Sequence, residues 1–345
     1  MEFGICFKGF VEADRARYLV RMAEVAGFKY CWFYDSHILW REPYPAIAMC
    51  MEHTKEMRFG PLVTNPDVRD WSLAASLFGS LAKQSGGRFD VAVGRGDSSR
   101  RVMGGKPASL ERVAEFVSKV KGMVRGDEVS YDGNPNPVKF PWAVGYEMPS
   151  WIGAYGPMAL KCAGEHADGV VLQIAEPGLC KWFADQCKEA AAAVGKDPEK
   201  FRVMAAAPAY LGSAEACFEA TKWFPAMVGN HVADIVEKYG KDTDLVPHSL
   251  TSYVENRRGY DYSKHGQSDN PYLDFITPEV VSSFCVLGQA SDHIQKIHAL
   301  EDAGVTQFNI YLDSGDEENI IATYGREIIP EFQAERSTSS EAIAA

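Results

Sequence analysis

The chain has 345 residues, 46% of them hydrophobic, and a formal charge of −12, so global disorder is excluded and a large core is possible. The acidic balance, with a sequence pI near 5.2, argues against phosphate backbones and anionic membranes as partners. No apolar run reaches the ~20 residues of a membrane span, and the opening MEFGICFKGF lacks the pattern of a signal peptide, which leads to the expectation of a cytoplasmic protein.

In chain order, FGICFKG from Phe3 is a strand ending at Lys8, and 12–26 has helical periodicity. MAEVAGFKYCWFYD from Met22 then passes from helix into strand through a short loop. RFGPLVT from Arg58 is the next strand, followed by helical periodicity over 72–84. FDVAVGRG from Phe89 precedes a helix over 108–124, and SWIGAYG from Ser150 precedes one over 157–166. KCAGEHADGVVLQI, from Lys161, and HALEDAGVTQFNIYL, from His298, repeat the helix-to-strand grammar, with RVMAAAPAYLG from Arg202 between them as one strand. A helix over 291–302 closes the series. About eight strands alternating with helices, each strand almost continuously apolar, predict parallel strands covered on both sides. This favours a (β/α)8 TIM barrel of the α/β class over an open doubly wound sheet. No GxGxxG stands near the start, which weakens a dinucleotide fold. Residues 126–149 are a Pro- and Gly-rich loop or hairpin excursion, and 223–277, rich in aromatics and His, are an insertion expected to form a lid. The expected boundaries are one barrel domain over 1–334 and a loose tail over 335–345.

In a TIM barrel the carboxyl ends of the strands open onto the active-site face. Asp35, Ser36 and His37, at the end of an aromatic run, are therefore expected to face a ligand, with Lys8, Thr64, Asn65, Arg95, Asp97 and Gln173. The corner Thr64-Asn65-Pro66 is extended before its proline and suits a brace for one face of a planar ring. A strained or cis peptide in that strand is compatible with it. Gly94 and Gly96 let the backbone approach a flat cofactor. Pro157 opens a helix whose free N–H groups suit an anion, which places a phosphate at Ala154, Tyr155, Gly156 and Met158. Phe7 and Trp40, with His231, Tyr260, Tyr262 and His265 of the insertion, are assigned to the substrate. His166, His293 and His298 fall within helices, as packing or surface residues. The eight cysteines form no CxxC pair and read as reduced, buried thiols. Nothing supports a metal site or a covalent nucleophile.

These stretches, above all FGPLVTNPDVRDWSLAAS and RFDVAVGRGDSSRRVMGGKPAS, resemble the bacterial luciferase-like superfamily of flavin and deazaflavin enzymes. The similarity is greatest to the branch containing methylenetetrahydromethanopterin reductase. The resemblance implies a barrel, usually dimeric, holding reduced FMN or the deazaflavin coenzyme F420 in its mouth. The ring would lie against Thr64 and Asn65, near Asp35 and Asp97. The anionic deazaflavin tail would meet Arg95, Arg100, Arg101 or Lys106. Because an aromatic lid suits a water-free pocket, the expectation taken forward is a two-component monooxygenase. It would use O2 and reduced FMN from a partner flavin reductase on a small N-heterocyclic substrate. His37 would act on the oxygen or the substrate and Asp35 would orient it. The alternative is an F420-dependent hydride transferase.

Overall fold

Backbone N–H and C=O groups in a strand covered on both faces have only neighbouring strands as partners, so continuous apolar runs close on one another. The computed structural model, which describes residues 1–9, 11–143, 145–229, 263, 273 and 276–333, shows this closure. Its strands are β1 (Glu2–Phe7), β2 (Tyr30–Phe33), β3 (Arg58–Pro61), β4 (Val91–Val93), β5 (Ser150–Gly153), β6 (Gly169–Leu172), β7 (Arg202–Ala207), β8 (Ala209–Leu211), β9 (Val286–Gly288) and β10 (Gln307–Tyr311). Eight of them form one parallel sheet in the order β3-β2-β1-β10-β7-β6-β5-β4. Its edges meet through parallel bridges Phe59–Phe89 and Thr64–Val93, which shut the barrel. The expected (β/α)8 architecture is thus present.

The helices expected over 12–26, 72–84, 108–124, 157–166 and 291–302 are found at Ala13–Val25, Trp71–Gln84, Leu110–Arg125, Pro157–His166 and Ala290–Asp302. Their starts follow local chemistry: Asp70 and Ser109 accept from the backbone N–H groups of Ser72 and Arg112 as N-caps. One reading needs correction. RVMAAAPAYLG is not one strand: Pro208 has no N–H to offer a ladder, so β7 ends at Ala207 and β8 begins at Ala209, where it pairs with β9 outside the barrel. In the Gly-rich stretch after β4, Asp97–Val102 is a short helix, entered through Gly96 at φ +77. The 126–149 excursion carries an antiparallel bridge between Val129 and Val138. Among the described residues no helix is long and apolar enough to cross a membrane.

The amino-terminal end of the barrel is packed by a buried charge cluster. Asp90, fully buried, accepts from Arg58 Nε at 2.6 Å and from Trp151 Nε1 at 3.1 Å. The chemistry is left to the opposite rim.

His293 lies in the helix Ala290–Asp302 and is fully buried. Its Nε2 is 3.2 Å from the Tyr210 carbonyl and its Nδ1 is 3.0 Å from the Tyr324 hydroxyl. A carbonyl only accepts, so Nε2 carries the proton and Nδ1 accepts from Tyr324 in a neutral ring. Burial depresses the imidazole pKa to about 4. The unfolded chain therefore binds this proton first as pH falls. Stability is full above the ordinary imidazole value and is lost as pH drops from there to about 4, at most about 1.4 kcal/mol per pH unit. His293→Gln is expected to lower neutral-pH stability by about 1–3 kcal/mol and to flatten the melting temperature against pH in that window. An unchanged acid slope in thermal melts of the variant would show that His293 does not set it.

Candidate active site

A cavity of about 730 Å³ opens at the carboxyl ends of β2 to β6. One wall is the corner after β3, where Leu62 and Val63 line the space through a cis peptide and Asn65 follows. Asn65 is fixed from both sides: Nδ2 donates to Ser99 Oγ at 3.0 Å, and Oδ1 accepts from the Asp67 N–H at 3.1 Å. The wall is kept low by glycine beside this corner, where the Gly94 N–H donates to the Thr64 carbonyl at 2.8 Å. A Cβ on Gly94 would lie 2.6 Å from Val63 Cγ2, and one on Gly96 would lie 2.7 Å from Asn65 Cγ.

The helix Pro157–His166 has no side-chain cap, and Gly156, Met158 and Ala159 line the cavity. Its first-turn N–H groups and the dipole end thus face the open space, an arrangement that suits an anion. The side-chain cations nearby are engaged. Arg101 pairs with Asp97, Arg100 is 3.6 Å from Asp67, and Arg95 Nε donates to the Ala108 carbonyl at 2.6 Å. On the β6 side, the Tyr155 hydroxyl donates to Gln173 Oε1 and accepts from the Gln173 N–H, both at 3.0 Å. Gln173 Nε2 donates onward to the Tyr311 hydroxyl at 2.9 Å. Burial pushes the Tyr155 phenol up, so this bracket stays neutral.

Of the residues singled out from sequence, the structure brings Asp35, Trp40, Asn65, Gly94, Asp97, Ala154, Tyr155, Gly156, Met158 and Gln173 to the cavity. Asp35 serves there as a buried anchor. Its carboxylate accepts from Tyr44 OH at 2.7 Å and from Arg69 at 2.8 and 3.3 Å, and Arg69 also reaches Glu42. His37 is not brought in. The chain turns at Ser36, whose carbonyl accepts from the Leu39 and Trp40 N–H groups at 2.8 and 2.9 Å. His37 is left exposed on that turn, and Ser36 with Trp40 lines the cavity instead. Asp35 therefore does not orient His37. Thr64 is buried and its backbone joins β4 at the seam. Phe7 is buried against Phe33, ring centroids 5.4 Å apart. His231, Tyr260, Tyr262 and His265 lie outside the described residues, as does most of the 223–277 insertion. Tyr34, Leu62 and Val63 line the cavity and were hidden in sequence within apolar runs.

A family model described as luciferase-like monooxygenase matches residues 1–307. The chain is 29% identical over 343 residues to a 5,10-methylenetetrahydromethanopterin reductase of Archaeoglobus fulgidus, covering 96% of this chain and 100% of that one. It is 24% identical to an F420-dependent hydroxymycolic acid dehydrogenase of Mycobacterium tuberculosis, covering 93% and 85%. The solved coenzyme F420 dependent tetrahydromethanopterin reductase of Methanopyrus kandleri superposes with a TM-score of 0.77 at 23% identity, over 96% of this chain and 99% of that one; at that identity the match speaks for the fold. The expectation of a two-component FMN monooxygenase is corrected by these findings. The full-length curated relatives are reductases and F420-dependent dehydrogenases, and with FMN go the roles given to O2 and a partner flavin reductase. An aromatic insertion is compatible with either chemistry, which is why it misled the choice. With the family model spanning most of its length, the chain belongs to the luciferase-like monooxygenase family.

Proposed function

We propose that the protein is an F420-dependent oxidoreductase that transfers hydride between the deazaflavin and a small organic acceptor, with a one-carbon group carried on a reduced pterin as the first acceptor to test. The observation that carries the reading is the full-length similarity to the methylenetetrahydromethanopterin reductases, read together with the cavity. The residues fit such a cofactor. A flat ring needs a smooth wall to lie on, and Leu62 to Asn65 with the bare Gly94 beside them supply one. A phosphate needs fixed N–H donors, and the uncapped first turn after Gly156 supplies those.

The chemistry such a cofactor supplies when bound is hydride donation and acceptance, with little reactivity toward O2. The chain's own residues position and exclude. The rigid Asn65 and the Asp35–Arg69 anchor hold the corner in place. Tyr155 and Gln173 fix the β5 and β6 ends relative to each other. Tyr34 and Trp40, packed edge to face at 4.9 Å, shield the β2 side from water. Orientation of this kind is the main contribution a protein makes to a hydride transfer.

The test is anaerobic. Reduced F420 and methylenetetrahydromethanopterin are mixed with the protein, and oxidised F420 is followed by its absorbance. The expected result is turnover without O2, with F420 quenching protein fluorescence on binding. Absence of F420 binding, or O2 uptake driven by reduced FMN instead, would overturn the reading.

A further inference from the structure

The cavity uses the strand ends from β2 to β6 and leaves the β1–β10 side of the mouth to a second group of side chains. Lys8 follows β1 and Asp313 follows β10, two neighbouring staves. Asp313 Oδ2 lies 3.3 Å from Lys8 Nζ, and their side chains are 10% and 17% exposed. The Trp223 ring covers Lys8, 3.9 Å from the ammonium to the ring centroid, and Phe224 packs on Tyr311 at 5.5 Å. Of the buried polar atoms in this corner, Ser314 Oγ completes no hydrogen bond among the described residues, while Asp313 Oδ2 faces the Lys8 ammonium. Tyr34 stands between the cavity and this cluster. It lines the cavity, stands edge-on to Tyr311 at 5.3 Å, and feels the Asp313 charge.

Hydride delivery to a carbon that bridges two nitrogens needs a proton at the nitrogen that leaves, as delivery to a C=O carbon needs one at the oxygen. Asp35 cannot give one, because Arg69 and Tyr44 hold its carboxylate. Asp97 is paired with Arg101. Burial pushes the phenols of Tyr34, Tyr155 and Tyr311 up and out of range, and does the same to the Cys6 thiol beneath Asp313. Asp313 differs. Burial raises it to about 6 against the pull of Lys8, and Glu317, itself paired with Arg15 at 3.0 Å, adds to the rise. At neutral pH about a tenth of the molecules then carry the proton.

We propose that Asp313, held by Lys8 beneath Trp223, is the acid that protonates the acceptor, and that the acceptor occupies the β1–β10 side of the mouth. This rests on the hydride-transfer reading. For a methylene bridge the balance is N–CH2–N plus hydride plus a proton giving N–CH3 and H–N, one C–H bond and one N–H bond forming as one C–N bond breaks. The hydride and its electron pair come from the reduced cofactor, and the proton leaves the Asp313 carboxyl for the departing nitrogen. The carboxylate left behind pairs with Lys8 and regains a proton from solvent, matching the one the reduced cofactor gives up on oxidation.

Two variants and two readouts decide it. With reduced F420 and methylenetetrahydromethanopterin, Asp313→Asn should lower kcat by about 100-fold or more, with F420 affinity changed less than about threefold. Wild-type kcat/KM should fall about tenfold per pH unit above the Asp313 titration, a limb that Asp313→Asn lacks. Lys8→Met, which removes the cation holding Asp313 down, should move the limb up by on the order of one pH unit. Independently of turnover, the infrared difference between wild type and Asp313→Asn with F420 bound should contain a protonated-carboxyl band that fades as pH rises through about 6. A wild-type rate and pH profile in Asp313→Asn, or absence of that band, overturns the assignment. A wild-type protein that binds F420 but never oxidises it would bring down the hydride reading itself, and the assignment with it.

Discussion

Arg69→Ala is expected to destabilise the protein by about 3–5 kcal/mol, the usual consequence of leaving one partner of a buried ion pair without the other. The Asp35 side chain has no exposure and Arg69 has 11%. Arg69 supplies two of the hydrogen bonds to that carboxylate and carries the link to Glu42 at 2.5 Å. With it gone, Asp35 keeps Tyr44 among the described residues and must either stay charged at a buried position or take up a proton. Arg69 also lies over the Tyr44 ring at 4.8 Å, so packing is lost together with charge. In urea unfolding the midpoint should fall with an unchanged slope. A loss below about 1 kcal/mol, the range of exposed pairs, would show that the pair does not hold the corner.

Gly94→Val should act on binding more than on stability. The new Cβ would start 2.6 Å from Val63 Cγ2, and the crowded side chain would rise from the wall that Gly94 and Val63 share into the cavity. We expect F420 affinity to fall by about 100-fold or more, while overpacking costs about 1–3 kcal/mol of stability. Fluorescence titration gives the first quantity and thermal melting the second. A variant that binds F420 as well as the wild type would show that the ring does not lie against the wall formed by Val63 and Gly94.

The barrel was legible because its strands are apolar throughout and change character abruptly at their ends, as in CWFYDS and FDVAVGRGD. The same abruptness pointed to Asn65, Asp97 and Gln173, and the Gly-Pro start pointed to the helix at 157. What failed was orientation past the last ladder residue. Strand alternation stops at Phe33, and the turn at Ser36 then decides which side chains face inward. No periodicity reports that turn, so His37 and Trp40 exchanged prominence. Partners distant in sequence were equally hidden. Arg69 completes Asp35 only once β2 and β3 lie side by side, and Lys8 meets Asp313 only when the last strand closes on the first. Tyr34 was invisible because a phenol in an aromatic run looks like core.

The join between β3 and β4 carries backbone hydrogen bonds at Phe59 and again at Thr64, while the chain between them bows toward the cavity and Leu62 turns its N–H to Phe33. A barrel is as stiff as its most sparsely stitched pair of staves, and here that pair is also a wall of the cavity. A molecule wedged against that wall would act as a splint across the gap. Occupancy and barrel rigidity would then rise and fall together, with the amides of residues 60–63 as the place where breathing slows first.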